Sequence, residues 1–281
     1  MAITFITAEE RLAQEPKINI AIFGKAGVGK TFQATKLNPE TTLFLDGEAG
    51  TLTLESWGGT TIDLRKEATK AGVHPWEMAQ MIALVLGGPD PAAAADAPYS
   101  KEAHAKAVEI VGPYNQFDKF DTIFVDSLTV VSRWSFAFQE QSPDNISAKT
   151  GKLDGFAVYG AHGHQMIAWL THLQHQPKSI IVVGVLDESE DDFGRKTFSP
   201  QIIGGMAKNA LPGIFDVVMT LANFEGKKED GSSFSYRAFC VANNNKYGYP
   251  AKHRGSAFGN ELEQPDLGFI IEKIRAAQAQ K

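Results

Sequence analysis

The sequence has almost no cysteine and no long hydrophobic run. A single cysteine among 281 residues leaves no partner within the chain for a disulfide, which is typical of proteins that fold in a reducing compartment. No apolar segment approaches the roughly 18 residues that span a bilayer, and the first residues lack the basic end and apolar stretch of a secretion signal. These absences predict a cytoplasmic protein without a membrane partner.

Excess positive charge is also missing. The chain has 27 Lys and Arg residues against 33 Asp and Glu residues, a formal net charge of -6. A protein that is basic over its whole surface is therefore excluded, and nucleic-acid binding would need a local patch. The chain is 43% hydrophobic and 21% charged, which is enough apolar surface for a core and excludes a disordered chain.

Apolar runs of strand length alternate with segments that carry apolar residues at helical spacing. The runs are short and rich in β-branched residues, as in strands buried on both faces of a parallel sheet. They cover residues 18–23, 41–46, 122–127, 179–186 and 214–221. The alternation predicts an α/β fold with a mainly parallel central sheet flanked by helices, the first of them directly after residue 29. Asp230-Gly231 before an alternating segment predicts a late β-hairpin.

No linker divides the chain, so residues 18–281 are expected to form one core after an N-terminal segment, residues 1–17. Residues 87–113 are rich in Ala and Pro and lack strong periodicity. They are interpreted as a surface insertion with a short helix over residues 100–110.

The most specific motif is a complete G-x-x-x-x-G-K-T phosphate loop directly after the first predicted strand. Glycines let backbone N–H groups surround a phosphate, Lys30 reaches the β- and γ-phosphates, and Thr31 offers its hydroxyl to Mg²⁺. The motif predicts binding of ATP and Mg²⁺. Its eight residues are Gly24, Lys25, Ala26, Gly27, Val28, Gly29, Lys30 and Thr31.

Acids follow two of the other predicted strands. Asp126 ends an apolar strand, where phosphate-loop folds hold the Mg²⁺ ion, although an acid that caps the next helix would also stand there. Asp46 ends the strand over residues 41–46 and Glu48 follows it, and either could approach the nucleotide because both point to the same side of an extended chain. Glu48 is the candidate base that activates the attacking water.

These three motifs together resemble the ATPase core of the RecA/RadA recombinases, whose second strand ends in an acid-x-Glu segment carrying the catalytic glutamate. Glu48 matches that glutamate. The chain is most similar to phage-encoded, single-domain RecA-core ATPases that assist single-strand annealing, and the resemblance covers residues 18–255. It implies a homo-oligomer in the host cytoplasm with ATP between its subunits. It also implies binding of single-stranded DNA and contact with a single-strand binding protein.

A Gly-Gly segment at residues 202–210 resembles the one that follows the DNA-binding loop of the recombinases. Residues 187–200 would then take the place of that loop. Arg195, Lys196 and Phe198 supply the cations and the stacking surface that single strands require, but the acidic run over residues 187–192 opposes phosphate binding. No side chain here matches the γ-phosphate sensor of the family.

Two further segments resemble parts of recombinase subunit interfaces. Lys252 and Arg254 match a cation pair that reaches the γ-phosphate of the neighbouring subunit, so the resemblance makes them catalytic; a solvated basic loop is the alternative. Phe5 and Ala8 match a Phe-x-x-Ala peptide through which some recombinases dock into the next subunit, and a plain helix start is the alternative.

Three functions compete. The first is the RecA-core ATPase that binds single-stranded DNA. The second is another phosphate-loop enzyme, such as a small-molecule kinase, which would need an Arg-rich lid over its acceptor. The third is a nucleotide-dependent regulator that binds a protein partner without DNA, which the acidic run favours.

Overall fold

The strands form one sheet in the computed structural model, which describes residues 5–13 and 17–279. The α-helices are α1 (Ala8–Ala13), α2 (Leu64–Ala71), α3 (Pro75–Gly87), α4 (Lys101–Val111), α5 (Leu128–Glu140), α6 (Gly155–His175), α7 (Gly205–Ile214) and α8 (Leu267–Ala279). The strands are β1 (Asn19–Gly24), β2 (Thr42–Asp46), β3 (Thr60–Asp63), β4 (Thr122–Asp126), β5 (Ser179–Glu190), β6 (Lys196–Pro200), β7 (Val217–Lys227), β8 (Ser233–Cys240), β9 (Lys252–His253) and β10 (Leu262–Glu263). Short 3₁₀ helices cover Thr31–Lys36, Thr51–Leu54, Tyr114–Phe117 and Pro143–Asn145.

The sheet order is β10-β8-β7-β1-β5-β4-β2-β3. From β7 to β3 all neighbours run parallel, whereas β8 is antiparallel to β7 and β10 is antiparallel to β8. The α/β fold with a mainly parallel sheet, flanking helices and a late hairpin is therefore confirmed. Because parallel strands share one carboxyl edge, the ends of β1, β2 and β4 meet there.

The core lies on both faces of the sheet. Along β1, Ala21 and Phe23 enter the core on one face, whereas Ile20 and Ile22 enter the core on the other. Helices α2 to α7 cover the first face; α8 and two 3₁₀ helices cover the second. Burial of each large apolar side chain stabilises the fold by about 1.5–3 kcal/mol, which fixes the strand register and so the position of each strand end.

Three local predictions need correction. The helix after the phosphate loop is a 3₁₀ helix of six residues that ends at Lys36, and Pro39 prevents a longer helix because it disfavours helical geometry in Asn38. Strand β3 was not predicted, since its sequence is mostly polar and it forms an edge of the sheet. Strand β5 was predicted over residues 179–186 but continues to Glu190 and pairs with β6, so the segment expected to take the place of the DNA-binding loop is a β-hairpin.

Residues 87–113 include α4, which lies next to α3. The segment is largely exposed, but Tyr99 and Ser100 are buried, and Tyr99 stacks on His172 of α6 at 4.5 Å between ring centroids. The segment is therefore anchored to the helical layer. Among the described residues, no helix is long and apolar enough to cross a membrane.

Candidate functional site

The phosphate loop lies at the carboxyl end of β1, between β5 and β7. Gly27 and Gly29 have φ angles of 75° and 95°, which other residues rarely adopt. At Gly24 a Cβ would lie 2.5 Å from the carbonyl oxygen of Leu221, so the loop begins in close contact with β7. Glycine is required at these positions, and such a backbone can turn successive N–H groups towards one anion.

Lys30 is held inside the loop. Its Nζ donates hydrogen bonds to the carbonyl oxygens of Gly24 at 2.9 Å and Lys25 at 3.0 Å. Burial lowers the pKa of Lys30, while the charges of Asp126 and Glu48 oppose that shift. The Lys30 ammonium group therefore lies against the loop backbone, near the carboxylates of Asp126 and Glu48. When a nucleotide binds, the ammonium group can exchange its carbonyl contacts for contacts with phosphate oxygens.

Thr31 and Asp126 meet across the carboxyl edge. The Thr31 hydroxyl donates a hydrogen bond of 2.5 Å to the Asp126 carboxylate at the end of β4. Asp126 is buried, and burial raises its pKa to about 7; the charge of Glu48 adds to the shift and the Thr31 hydrogen bond opposes it. Hydroxyl and carboxylate oxygens are ligands that Mg²⁺ accepts, and a cation would relieve the cost of the buried carboxylate. These residues fit the predicted metal ion.

The two acids at the carboxyl end of β2 have different surroundings. Asp46 is buried, and its Oδ1 accepts hydrogen bonds from the backbone N–H groups of Glu48 at 3.0 Å and Ala49 at 2.8 Å. Glu48 is exposed and accepts a hydrogen bond from the Ser127 hydroxyl. Asp46 thus holds the turn that follows β2, and Glu48 is the acid with a carboxylate available to a water molecule. Ser127 was not predicted; its place directly after Asp126 was the available signal.

The β5–β6 hairpin contacts the phosphate loop through one acid. Glu188 forms ion pairs with Lys25 of the loop and with Lys196 of β6, the latter at 2.5 Å. Hydrogen bonds from these two lysines hold the pKa of Glu188 well below its usual range, at about 2. The hairpin cations are therefore paired with acids in this state, and Arg195 is likewise paired with Asp191 at 2.8 Å.

Phe198 belongs to a series of aromatic contacts beside the loop. The centroid of its ring lies 4.5 Å from that of the Tyr249 ring, and the ring centroids of Tyr249 and Tyr247 are 6.2 Å apart. Tyr249 also lines a cavity of about 340 Å³ with Lys25 and other residues of the phosphate loop. Aromatic rings thus lie between the hairpin and the nucleotide site.

Lys252 and Arg254 lie elsewhere. The register places Lys252 opposite Val218 of β7, level with Ala21 and so nearer the amino ends of the strands than the phosphate loop is. Lys252 donates a hydrogen bond of 2.6 Å to the carbonyl oxygen of Phe215. Lys252 and Arg254 therefore do not border the phosphate loop of their own chain. A role at the nucleotide of a neighbouring subunit requires this separation.

The Arg254 guanidinium is also bound within the chain. It forms an ion pair of 3.0 Å with Asp216 and donates a hydrogen bond of 2.6 Å to the carbonyl oxygen of Gly213. Arg254 therefore ties β9 to the segment between α7 and β7.

A phosphate loop at a strand end, with a hydroxyl-carboxylate pair and a second acid beside it, defines a P-loop NTPase. The chain belongs to a family described as AAA domain, whose model matches residues 16–255 and so includes every motif from Gly24 to Arg254. P-loop NTPases of this kind bind nucleotide, generally ATP with Mg²⁺. A comparison with curated proteins gives no match for this chain.

Proposed function

We propose that the protein is a Mg²⁺-dependent ATPase with a RecA-type core that forms homo-oligomers and binds single-stranded DNA in phage-type recombination or annealing. The observation that carries the ATPase function is the convergence of Lys30, Thr31, Asp126 and Glu48 at one edge of the sheet. The family match supports nucleotide binding and hydrolysis, and the sequence resemblance supports the recombinase type.

Each of these side chains has a distinct task in hydrolysis. Lys30 binds the β- and γ-phosphate oxygens, and Thr31 with Asp126 would hold Mg²⁺, which would neutralise phosphate charge. Glu48 orients a water molecule and takes its proton as the water oxygen bonds to the γ-phosphorus. The bond from that phosphorus to the bridging oxygen breaks, and ADP and inorganic phosphate leave.

The ATPase function is tested by phosphate release from ATP with and without Mg²⁺. We expect turnover by the wild-type protein that chelation of Mg²⁺ abolishes. Asp126→Asn is expected to lose most of this turnover because the variant removes a negatively charged ligand. Absence of Mg²⁺-dependent phosphate release from the wild-type protein would refute the proposal.

Self-association is supported at two places on the surface. The Phe5 side chain is 86% exposed and is followed by exposed Ile6, immediately before α1. A cavity of about 620 Å³ lies along edge strand β3, with Ile62, Met78 and Phe117 among its apolar lining residues. We propose that the N-terminal segment of one copy docks along this edge of the next. Lys252 and Arg254 of a neighbouring subunit then act on the γ-phosphate.

DNA binding is assigned to the β5–β6 hairpin. Arg195 and Lys196 are exposed cations, and Phe198 offers an aromatic ring for a base. Glu188 contacts both Lys25 and Lys196, so the nucleotide site and this hairpin share one acid. This shared contact supports a link between ATP binding and DNA binding, and a single-strand binding protein is a further proposed partner.

One structural observation favours a second candidate function, a nucleotide-dependent regulator, over the DNA-binding ATPase. Arg195 and Lys196 are both paired with acids of their own hairpin, which reduces their attraction for phosphates. A nucleotide-dependent regulator that binds a protein partner, without DNA, would keep these pairs intact.

Binding of a fluorescent single-stranded oligonucleotide, measured at several salt concentrations with and without ATP, separates the two functions. The DNA-binding function predicts salt-dependent binding that Arg195→Ala/Lys196→Ala weakens, with a salt slope reduced by about 0.7 for each lost phosphate contact. Lys101→Ala/Lys106→Ala removes two exposed lysines from α4 and is the matched control. Absence of binding in both nucleotide states would favour the regulator.

A further inference from the structure

The late β-hairpin brings a cation from outside the motif to the phosphate loop. Arg237 lies on β8, opposite Asn223 of β7, and β7 is the strand that runs beside β1. At Gly29 a Cβ would lie 2.7 Å from Nη1 of Arg237 and 3.6 Å from its Cζ. The guanidinium therefore lies directly against the loop, beside the glycine that precedes Lys30.

The Arg237 guanidinium has no other task in the structure. The side chain is exposed, and within residues 5–13 and 17–279 it makes no hydrogen bond or ion pair. Arginine stays protonated at all physiological pH values and presents several N–H donors in a planar fork that suits phosphate oxygens. A full positive charge is thus held at the phosphate loop without a carboxylate to neutralise it.

Gly29 is what allows this approach. Its φ angle of 95° suits glycine, and a Cβ at this position would force the guanidinium to shift away from the loop. Phe32 borders the same point, since its Cβ lies 4.0 Å from the position that a Gly29 Cβ would take. Arg237 and Phe32 therefore flank one side of the loop.

We propose that Arg237 binds a phosphate of the nucleotide held by the phosphate loop of its own chain. This inference rests on the proposed nucleotide-binding function and adds a contact to it. The contact comes from the late hairpin of the same chain, so it needs no neighbouring subunit, in contrast to the role proposed for Lys252 and Arg254.

The test is equilibrium binding of Mg-ATP and of inorganic triphosphate to purified variants. Arg237→Ala is expected to weaken the binding of both probes by about tenfold or more, because a charge-assisted hydrogen bond to phosphate is lost. Arg237→Lys should bind with intermediate affinity, since it keeps the charge and loses the fork. The loss should be the same at low and high protein concentration.

Lys227→Ala is the matched control, because it removes an exposed cation from the same hairpin away from the loop. An equal loss of affinity in Lys227→Ala and Arg237→Ala would overturn the inference in favour of general charge attraction. Wild-type affinity in Arg237→Ala, with the affinity lost in Lys30→Ala, would overturn this inference alone. Absence of saturable ATP binding by the wild-type protein would overturn the proposed function as well. Thermal unfolding of each variant checks that the fold is retained.

Discussion

Two groups of cations differ sharply in their surroundings. At the phosphate loop, Lys30 donates hydrogen bonds to two carbonyl oxygens of its own loop, and Arg237 has no polar partner within the described residues. On β9, Lys252 donates to a carbonyl oxygen, and directly after β9 Arg254 is bound by the Asp216 carboxylate. Lys30 and Arg237 form no ion pair within the described residues and are available to an anionic ligand, whereas Arg254 already stabilises the fold through its ion pair.

This difference shows that a basic residue is informative only together with its partners. A cation without a carboxylate gains most from a phosphate, because its charge is not yet neutralised. A paired cation must first give up its partner, so Arg254 can act on a neighbouring nucleotide only if the subunit interface replaces its ion pair with Asp216. The acids of the site show the same contrast, with Asp46 bound to the backbone and Glu48 exposed.

Glu48→Gln should give the largest effect and sharpens the contrast between the two acids. We expect ATP binding to persist while turnover falls by on the order of a hundredfold or more, because amide oxygen cannot take the proton of water. Single-turnover phosphate release and nucleotide titration measure the two properties. The assignment is wrong if Asp46→Asn stalls turnover in a folded protein and Glu48→Gln does not.

A mixing experiment tests whether Lys252 and Arg254 also act on a nucleotide, at the site of a neighbouring subunit. Lys252→Ala/Arg254→Ala is expected to be inactive alone, as is Glu48→Gln. An equal mixture should regain about one quarter of the wild-type ATPase rate, since half of the sites carry Glu48 and half of those face intact cations. Complete absence of recovery in verified mixed oligomers would leave Lys252 and Arg254 with only the structural contacts seen here.

Asp126→Asn tests the buried acid at the end of β4. Its pKa is raised in the folded protein from 3.8 to about 7, so the folded state favours the protonated form. In the absence of ligand, the folded protein is therefore most stable, as far as Asp126 is concerned, below pH 4, where this carboxyl is protonated. That stability is lost as the pH rises towards 7 and the buried carboxyl becomes charged. Asp126→Asn should therefore unfold like the wild type at pH 4 and be more stable at pH 8, by a few kcal/mol.

Chemical denaturation of the ligand-free proteins at both pH values measures that difference. Thr31 can still donate its hydrogen bond to the amide oxygen of the variant, so packing is preserved. Equal stabilities at pH 8 would contradict a destabilising burial of the charged carboxylate at position 126.

Arg254→Ala should give the smallest effect. The guanidinium loses its pairing with Asp216 and its hydrogen bond to Gly213, but it is about half exposed, so the loss is roughly 0.5–1 kcal/mol. Arg237→Ala should change the free energy of unfolding less, because no protein partner is lost. Denaturation of the two variants side by side measures the contrast, and a larger loss for Arg237→Ala would reverse it.

The parts of the fold predicted from sequence were those with local signals. The phosphate loop is a contiguous motif, and β1, β2 and β4 are short apolar runs that are buried on both faces. Strand β3 has no such pattern, because Thr60 and Thr61 lie at the edge of the sheet. The position of Asp126 near the phosphate loop could be predicted because the strand ends of a parallel sheet meet at one edge.

The remaining features depend on contacts between distant segments. Spacing could not separate Asp46 from Glu48, since both lie on the same side of an extended chain; the hydrogen bonds of the turn separate them. Arg237 carried no motif and reaches Gly29 only because β7 and β8 fold beside β1. The ion pair between Arg254 and Asp216 was likewise invisible before the strands were placed.

Titration of Mg-ATP against Lys30→Ala tests the central assignment most directly. Lys30 is the side-chain cation that the phosphate loop itself supplies to the β- and γ-phosphates, and Lys66→Ala on the exposed face of α2 is the matched control. The account predicts saturable binding by the wild type and the control, and loss of tight binding by Lys30→Ala with its thermal unfolding transition retained. Near-wild-type affinity in Lys30→Ala would contradict a nucleotide site at this loop.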